Sequence, residues 1–262
     1  MIFAKNLFKG KIAVITGGGT GIGKSIATQF GKLGAKIAIV HRKKENVDSG
    51  VKELSKFSKC IGFQADLRDF TQVEKVFKDI AKEYERIDFL VNNAGGQFLA
   101  PIEKISPNGF DAVVKTNLYN TFYCCKAAGE FMKKQKYGKI TNMVTIYAVK
   151  SAAGMIHSGA ARAGVINLTR SLALEWAKYS INVNVVAPGF VNTSGLKYEL
   201  VNDQKKFEKL KKEVPMGRFA DVQEIADAVT FLSSDAASYI TAQTLVIDGG
   251  CVMANWPKIG DF

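Results

Sequence analysis

Thr16-Gly17-Gly18-Gly19-Thr20-Gly21-Ile22-Gly23 is the stretch that decides the fold of this chain. It follows an apolar run, 11–15, and precedes an amphipathic segment, 24–33, so it joins a predicted buried strand to the start of a predicted helix. Glycines in such a turn let backbone N–H groups come close to a phosphate, and the helix dipole adds partial positive charge there. The stretch therefore predicts a strand–turn–helix unit that binds phosphate.

Apolar strand-like runs alternate with helix-period segments along the chain. Strands are predicted over 11–16, 36–40, 59–64, 87–91, 138–144, 181–187 and 244–248. Helices are predicted over 22–33, 46–57, 71–84, 109–134, 158–178 and 221–233. We therefore predict an α/β fold, a Rossmann-type doubly wound parallel sheet of about seven strands with helices on both faces. A single domain over residues 1–262 is expected, with a substrate flap near 192–215.

The composition and charge exclude several classes of protein. Hydrophobic residues make up 47% and charged residues 23%, as in globular proteins, and no apolar run reaches the roughly 18 to 20 residues that span a bilayer. The net charge of +12 favours anionic partners, but the chain has no basic–aromatic stripe of the kind that binds single-stranded nucleic acid. We therefore expect small anionic ligands, with no nucleic acid and no membrane as partners.

The cysteines and histidines predict no metal site. Cys60, Cys124, Cys125 and Cys251 form no Cys-x-x-Cys pair, and the chain has only two histidines. The first residues lack the layout of a secretory signal, and the last residues are not a peroxisomal ending. We expect a reduced, cytoplasmic setting.

The residues that follow the second, third and fourth predicted strands indicate the cofactor. Strand 36–40 ends in His41-Arg42-Lys43-Lys44, with no acidic residue to hold the ribose 2′-hydroxyl of NAD, whereas Arg42 suits a 2′-phosphate. This favours NADPH. Asp66-Leu67 follows the third strand, where a carboxylate can meet the adenine amino group. Asn92-Asn93-Ala94-Gly95 closes the fourth strand, and its small residues let the backbone approach the ribose.

In their order and spacing these motifs, together with Asn117, Pro188-Gly189 and Asp248-Gly249-Gly250, resemble the short-chain dehydrogenase/reductase family over residues 8–252. The resemblance implies that the helices predicted over 109–134 and 158–178 pair across a two-fold axis, within a homotetramer. Taken together, the motifs and the resemblance imply that the cofactor is bound by Gly17, Gly19, Thr20, Gly21, Ile22, Arg42, Asp66, Leu67, Asn93, Ala94, Gly95, Arg162, Pro188, Gly189 and Val191.

The catalytic positions depart from the family's usual set of Asn, Ser, Tyr and Lys. Asn117 is retained, and Thr145 stands at the serine position. Ser158 stands where the tyrosine belongs, and Arg162 where the lysine belongs. A serine hydroxyl does not titrate near neutral pH, and arginine stays charged, so ordinary ketone–alcohol chemistry is disfavoured.

Two groups of relatives suggest another reaction. The stretch His157 to Val165 resembles peroxisomal trans-2-enoyl-CoA reductases, and Thr145-Ile146-Tyr147-Ala148 is similar to 2,4-dienoyl-CoA reductases. The latter also lack the usual tyrosine and use one that lies fifteen residues before their lysine. Tyr147 has this spacing from Arg162. The asparagine with which those enzymes hold the thioester carbonyl corresponds to Gln97.

The leading prediction is an NADPH-dependent reductase of 2-enoyl thioesters carried by CoA or acyl carrier protein. Hydrogen-bond donors aimed at the enolate oxygen are the main requirement of that chemistry. The implied catalytic set is Tyr147, Thr145, Gln97, Asn117, Arg162 and Ser158, with Ser158 expected to matter much less than Tyr147. The alternatives are a 2,4-dienoyl-CoA reductase, a 3-oxoacyl thioester reductase and, outside enzymes, a non-catalytic NADPH-binding module or a basic protein that binds nucleic acid.

Overall fold

The computed structural model describes residues 2–193 and 204–254. Within these residues, seven parallel strands form one sheet in the order β3-β2-β1-β4-β5-β6-β7. The strands are β1 (Ile12–Thr16), β2 (Lys36–His41), β3 (Cys60–Gln64), β4 (Phe89–Asn92), β5 (Gly138–Met143), β6 (Ile181–Pro188) and β7 (Thr244–Ile247). The chain crosses to the other half of the sheet between β3 and β4. Ligands of such sheets bind at this switch point, beyond the carboxyl ends of the strands.

Eight α-helices connect or follow the strands in the described part of the chain. They are α1 (Gly21–Lys32), α2 (Lys44–Leu54), α3 (Phe70–Tyr84), α4 (Pro107–Val114), α5 (Asn120–Gln135), α6 (Ile156–Trp176), α7 (Gln204–Glu213) and α8 (Val222–Ser233). A π-helical segment, Lys115–Tyr119, joins α4 to α5 without a break.

Both faces of the sheet are buried, because each strand alternates its side chains between two helical layers. In β1, Ile12 and Val14 pack into the cluster formed with α3, α5 and the end of α6. Ala13 and Ile15 pack into the cluster formed with α1 and α8. The sheet is therefore a rigid frame that fixes the strand ends where the candidate site lies.

The predicted α/β fold, with seven parallel strands and helices on both faces, is confirmed. The segment 109–134 is not one regular helix, because the π-helical turn around Asn117 interrupts the α-helical geometry. Of the predicted flap at 192–215, residues 194–203 lie outside the described residues, and α7 occupies much of the rest. Within the described residues, every helix is too short or too polar to cross a membrane, and no group of three His, Cys, Asp or Glu side chains could hold a metal ion.

Candidate active site

The glycine turn after β1 is held against the end of β4. Thr16 Oγ1 accepts hydrogen bonds from Asn93 N at 3.0 Å and Ala94 N at 2.9 Å. Gly17 has a left-handed φ of +65°, and a Cβ there would lie 2.8 Å from Asn93 Nδ2. The helix α1 that follows has no side-chain cap at Thr20. The Thr20 side chain therefore leaves the first N–H groups of α1 uncapped, and such groups can receive a phosphate.

A cleft of about 640 Å³ opens at the carboxyl ends of β1 to β4. Ten of the residues predicted to bind the cofactor line it: Gly17, Thr20, Gly21, Ile22, Arg42, Asp66, Leu67, Asn93, Ala94 and Gly95. The structure therefore brings together residues that follow four different strands of the sheet.

The other predicted cofactor residues do not line this cleft. Gly19 packs against the backbone of Asn46 in α2, where a Cβ would collide with the carbonyl oxygen. Pro188 is the last residue of β6, and a Cβ on Gly189 would lie 2.9 Å from Asp248 Cα. Val191 is buried in the apolar cluster beneath the sheet. Gly19, Gly189 and Val191 thus make local packing contacts, Pro188 ends a strand, and the fifth residue, Arg162, is described below.

Two arginines line the cleft near the ends of β2 and β3, and one of them, Arg68, is paired with a carboxylate. The Arg68 guanidinium forms hydrogen bonds with both carboxylate oxygens of Asp66, and these lower the pKa of that carboxyl. Asp66 N donates to Gln72 Oε1 at 3.0 Å. Arg42 takes part in none of the salt bridges found among the described residues. Arg42 is therefore the guanidinium of this cleft that is available to an added anion.

The first turn of α6 carries Ser158 at the position of the family's tyrosine. Ser158 is fully buried, and its hydroxyl donates to Gln97 Oε1 at 2.6 Å. The backbone N–H of Ser158 donates to Nδ1 of the neighbouring His157 at 2.9 Å. Gln97 lines the cleft, so one hydrogen bond connects the cleft wall to the start of α6.

Arg162 lies one turn further along α6 and is buried as well. Its Nη1 reaches Met143 O at 3.4 Å, and its Nε has no hydrogen-bond partner among the described residues. Burial lowers the pKa of Arg162 to about 10, so the side chain remains a cation at neutral pH. A Cβ on Gly95 would lie 2.9 Å from Arg162 Nη2 and 2.7 Å from Asn117 Oδ1. Glycine at position 95 therefore lets the cation approach the cleft wall.

Asn117 anchors the loop that follows β4. Its Nδ2 donates to Gly96 O and to Val113 O, both at 2.8 Å, and its Oδ1 accepts from Gly96 N at 3.2 Å. The π-helical turn carries this side chain, so the irregular backbone places the amide against the loop. Asn117 fixes the backbone immediately before Gln97.

Tyr147 and Thr145 follow β5. The hydroxyl of Thr145 is shielded from solvent and has no partner among the described residues. Tyr147 is half-buried and lies in the wall of a second cavity, of about 800 Å³, which includes the α6 residues Gly159 and Ala160. The structure therefore joins Gln97 to Ser158 directly, and it places Tyr147 in the wall of the second cavity.

Comparisons with known proteins agree with this geometry. The family model described as enoyl-(acyl carrier protein) reductase matches residues 17–252. A short-chain dehydrogenase from Bacillus anthracis, known from its crystal structure, superposes with a TM-score of 0.89 at 37% identity, covering 96% of this chain and 100% of that one. The chain belongs to the short-chain dehydrogenase/reductase family. It is an oxidoreductase of that type.

The names of two relatives within the short-chain dehydrogenase/reductase family describe thioester substrates. A probable 2,4-dienoyl-CoA reductase of Bacillus subtilis, of the kind that produces (2E)-enoyl-CoA, is 39% identical over 250 residues, 94% of this chain and 98% of that protein. A 3-oxoacyl-acyl-carrier-protein reductase of Thermotoga maritima is 36% identical over 246 residues, 94% of this chain and 99% of that protein. The names of these two relatives describe two different reductions.

The short-chain dehydrogenase/reductase fold binds a nicotinamide cofactor. A xylitol dehydrogenase of known structure, for example, contains bound NAD+. It superposes on this chain with a TM-score of 0.89 at 29% identity, over 93% of this chain and 99% of that one. The described residues fit such a group. The glycine turn forms a cradle beside an uncapped helix start. The unpartnered Nε of buried Arg162 is a donor for a polar ligand.

Sequence reasoning missed several residues of the cleft. His41 and Arg68 line it beside the predicted Arg42 and Asp66. Their positions next to these residues, at the ends of β2 and β3, could have indicated them. Asn120 lines it too, and its Nδ2 donates to Ala94 O at 2.9 Å. Thr193 is a further lining residue, and its place just beyond the Pro188-Gly189 motif of β6 was the signal for it.

Proposed function

We propose that this chain uses NADPH to reduce a carbon–carbon double bond conjugated to the carbonyl of an acyl thioester, carried by CoA or by acyl carrier protein. The observation that carries the proposal is the contact of Ser158 with Gln97. A buried serine occupies the position of the phenol that would protonate a ketone oxygen, and a serine hydroxyl does not titrate near neutral pH. Reduction of a conjugated double bond needs no protonation of an alkoxide.

The reaction places its charge on the thioester oxygen. When bound, NADPH supplies a hydride. As the β-carbon of the substrate gains this hydride, negative charge builds on the thioester oxygen, and the α-carbon then takes a proton. Preformed hydrogen-bond donors stabilise such an oxygen, and removal of one typically costs about 10²–10³ in kcat. Gln97 and Tyr147 are the proposed donors, with Thr145 as a third.

Arg162 and Asn117 support this arrangement. Arg162 replaces the family's lysine, and we assign it to the cofactor ribose and to a positive potential near the developing oxyanion. Its charge persists across the working pH range, because burial leaves its pKa at about 10. Asn117 holds the backbone at Gly96 and so keeps the Gln97 loop in place.

The second cavity suits an acyl chain. Its lining is mostly small or apolar: Ala100, Pro101, Ile102, Val149, Ala152, Ala153, Met155, Ile156, Ala160 and Ala163. Pockets with such walls and a few polar groups are typical of sites for apolar ligands. Tyr147 lies in this wall, and we assign the thioester to the junction between the cavity and the cleft.

A 2,4-dienoyl-CoA is the second candidate substrate. The spacing of Tyr147 from Arg162 and the Bacillus subtilis relative favour it. Hydride then goes to the δ-carbon, and the proton goes either to the γ-carbon, which leaves a 2-enoyl thioester, or to the α-carbon, which leaves a 3-enoyl thioester. A 3-oxoacyl substrate has a named relative as well, but the serine at position 158 disfavours it.

The experiment is a substrate panel. Oxidation of NADPH is followed at 340 nm with crotonyl-CoA, hexa-2,4-dienoyl-CoA and acetoacetyl-CoA, and the products are identified by mass spectrometry. We expect one or both unsaturated thioesters to be reduced and the ketone to be a poor substrate. Preferential reduction of acetoacetyl-CoA would contradict the proposal. Binding of NADPH without any turnover would favour a non-catalytic binding module.

Assembly and location complete the proposal. Exposed apolar side chains on α5 and α6, among them Phe122 and Leu174, support a homotetramer that pairs these helices. The four cysteines are unpaired, and three of them are buried, which supports a reducing, cytoplasmic setting.

A further inference from the structure

We infer that Ser158 is a positioning residue that acts through Gln97, by turning the donor end of the Gln97 amide toward the thioester. The inference rests on the proposed function. Ser158 Oγ donates to Gln97 Oε1 at 2.6 Å, so the acceptor end of the amide is engaged. The two N–H groups on Nε2 are then left for the cleft, which Gln97 lines.

The orientation of this amide decides whether Gln97 helps or hinders the reaction. A primary amide has an acceptor end and a donor end, which differ little in size. The donor end stabilises a thioester oxygen that gains negative charge, whereas the acceptor end repels it. Because Ser158 is fully buried, its hydroxyl is shielded from water that would otherwise compete for the bond.

The backbone that carries Gln97 is already fixed on both sides. Asn117 makes two hydrogen bonds to the backbone of Gly96. On the other side, Phe98 packs edge-on against the His157 ring, with centroids 4.3 Å apart, and Ala100 N donates to Gly154 O at 3.1 Å. The Gln97 side chain thus extends from an anchored loop, and rotation of its amide is the freedom that Ser158 removes.

His157 in turn fixes Ser158. Met155, which precedes helix α6, makes no side-chain cap, and the His157 ring instead accepts the Ser158 N–H on Nδ1. The ring is fully buried. Its neutral form is required, because a protonated Nδ1 cannot accept a hydrogen bond. His157 therefore holds both partners of the contact: it binds Ser158 through the N–H group, and it packs against Phe98, the residue after Gln97.

The test is a double-mutant cycle on the full-length chain, with kcat and KM measured separately for the unsaturated thioester that the unaltered chain reduces best. Gln97→Ala is expected to lower kcat about 100-fold. Ser158→Ala is expected to lower it about tenfold, the order of one neutral hydrogen bond, with KM for NADPH unchanged. The double variant is expected to match Gln97→Ala within about twofold, because Ser158 has nothing left to orient. Ser158→Thr keeps the hydroxyl and should retain activity.

Ser171→Ala is the matched control, because Ser171 lies exposed on the same helix. Thermal unfolding checks that each variant is folded, and the Kd of butanoyl-CoA, the saturated thioester, gives a readout apart from turnover. This Kd should rise in both single variants, and it should rise no further in the double variant. Multiplied losses in the cycle, or full activity of Ser158→Ala, would overturn the inference while the proposed function stands. Failure of the unaltered chain to reduce any unsaturated thioester would overturn both.

Discussion

Replacing Arg42 with alanine should remove the preference for NADPH and leave the affinity for NADH unchanged. Arg42 follows β2 in the wall of the cleft, and its side chain is exposed. The second guanidinium of this wall, Arg68, is already bound to both oxygens of Asp66. We therefore assign to Arg42 the 2′-phosphate that distinguishes the two cofactors.

The expected size of the effect follows from this exposure. A hydrogen bond to a charged group contributes about 1.5–3 kcal/mol. Solvent and salt screen an exposed pair, so the lower end of this range applies. The Kd for NADPH should therefore rise about ten- to thirtyfold in Arg42→Ala, and the preference of the unaltered chain should fall as salt is added. Arg42→Asp should invert the preference.

The assay is titration of each variant with NADPH and with NADH, followed by nucleotide fluorescence at two salt concentrations. Lys43→Ala is the matched control, since Lys43 is the next residue and is also exposed but does not line the cleft. Equal affinities of the unaltered chain for the two cofactors would refute the reasoning. A similar loss for NADH in Arg42→Ala, or the same loss in Lys43→Ala, would refute it as well.

Three further outcomes are expected. Tyr147→Phe should lower kcat for crotonyl-CoA by about 10²–10³ with little change in NADPH affinity, and unchanged turnover would remove Tyr147 from the proposed mechanism. Burial lowers the pKa values of both histidines, so the unfolded chain takes up more protons below pH 6.5, and the free energy of unfolding should fall from that pH downward. Urea unfolding at pH 7.5, 6.5 and 5.5 should show a shallower decline in His157→Gln, and equal slopes would contradict this. Sedimentation should give a tetramer or dimer, not a 28.6 kDa monomer at micromolar concentration.

The fold could be predicted because its determinants are local and periodic. The glycine turn defines one strand end and one helix start, and the alternation of apolar runs marks the other strands. Arg42 and Asp66 could be placed in the cleft for the same reason, since each follows a strand of a parallel sheet and such strand ends meet at one edge. The π-helical turn at Lys115–Tyr119 could not be predicted, because its sequence has an ordinary helical pattern.

Contacts between side chains that are distant in the sequence could not be predicted from sequence patterns. Ser158 and Gln97 lie 61 residues apart, and nothing in the spacing of either residue predicts their hydrogen bond. From the sequence, Ser158 merely occupies the vacant tyrosine position, whereas the structure gives its hydroxyl a partner in the cleft wall. The packing of Gly19 against the backbone of Asn46 in α2 is likewise a contact that the glycine motif alone does not predict. Such roles depend on tertiary packing, which sequence periodicity does not encode.

The most direct test of the proposed reaction is to follow the hydride itself. NADPH carrying deuterium at the transferable position of nicotinamide C4 is incubated with the full-length chain and either crotonyl-CoA or hexa-2,4-dienoyl-CoA, and the deuterium in the product is located by NMR. We predict a single deuterium on the β-carbon of butanoyl-CoA, or on the δ-carbon of an enoyl-CoA. Deuterium found only on the carbinol carbon of 3-hydroxybutanoyl-CoA, in a parallel reaction with acetoacetyl-CoA, would contradict it.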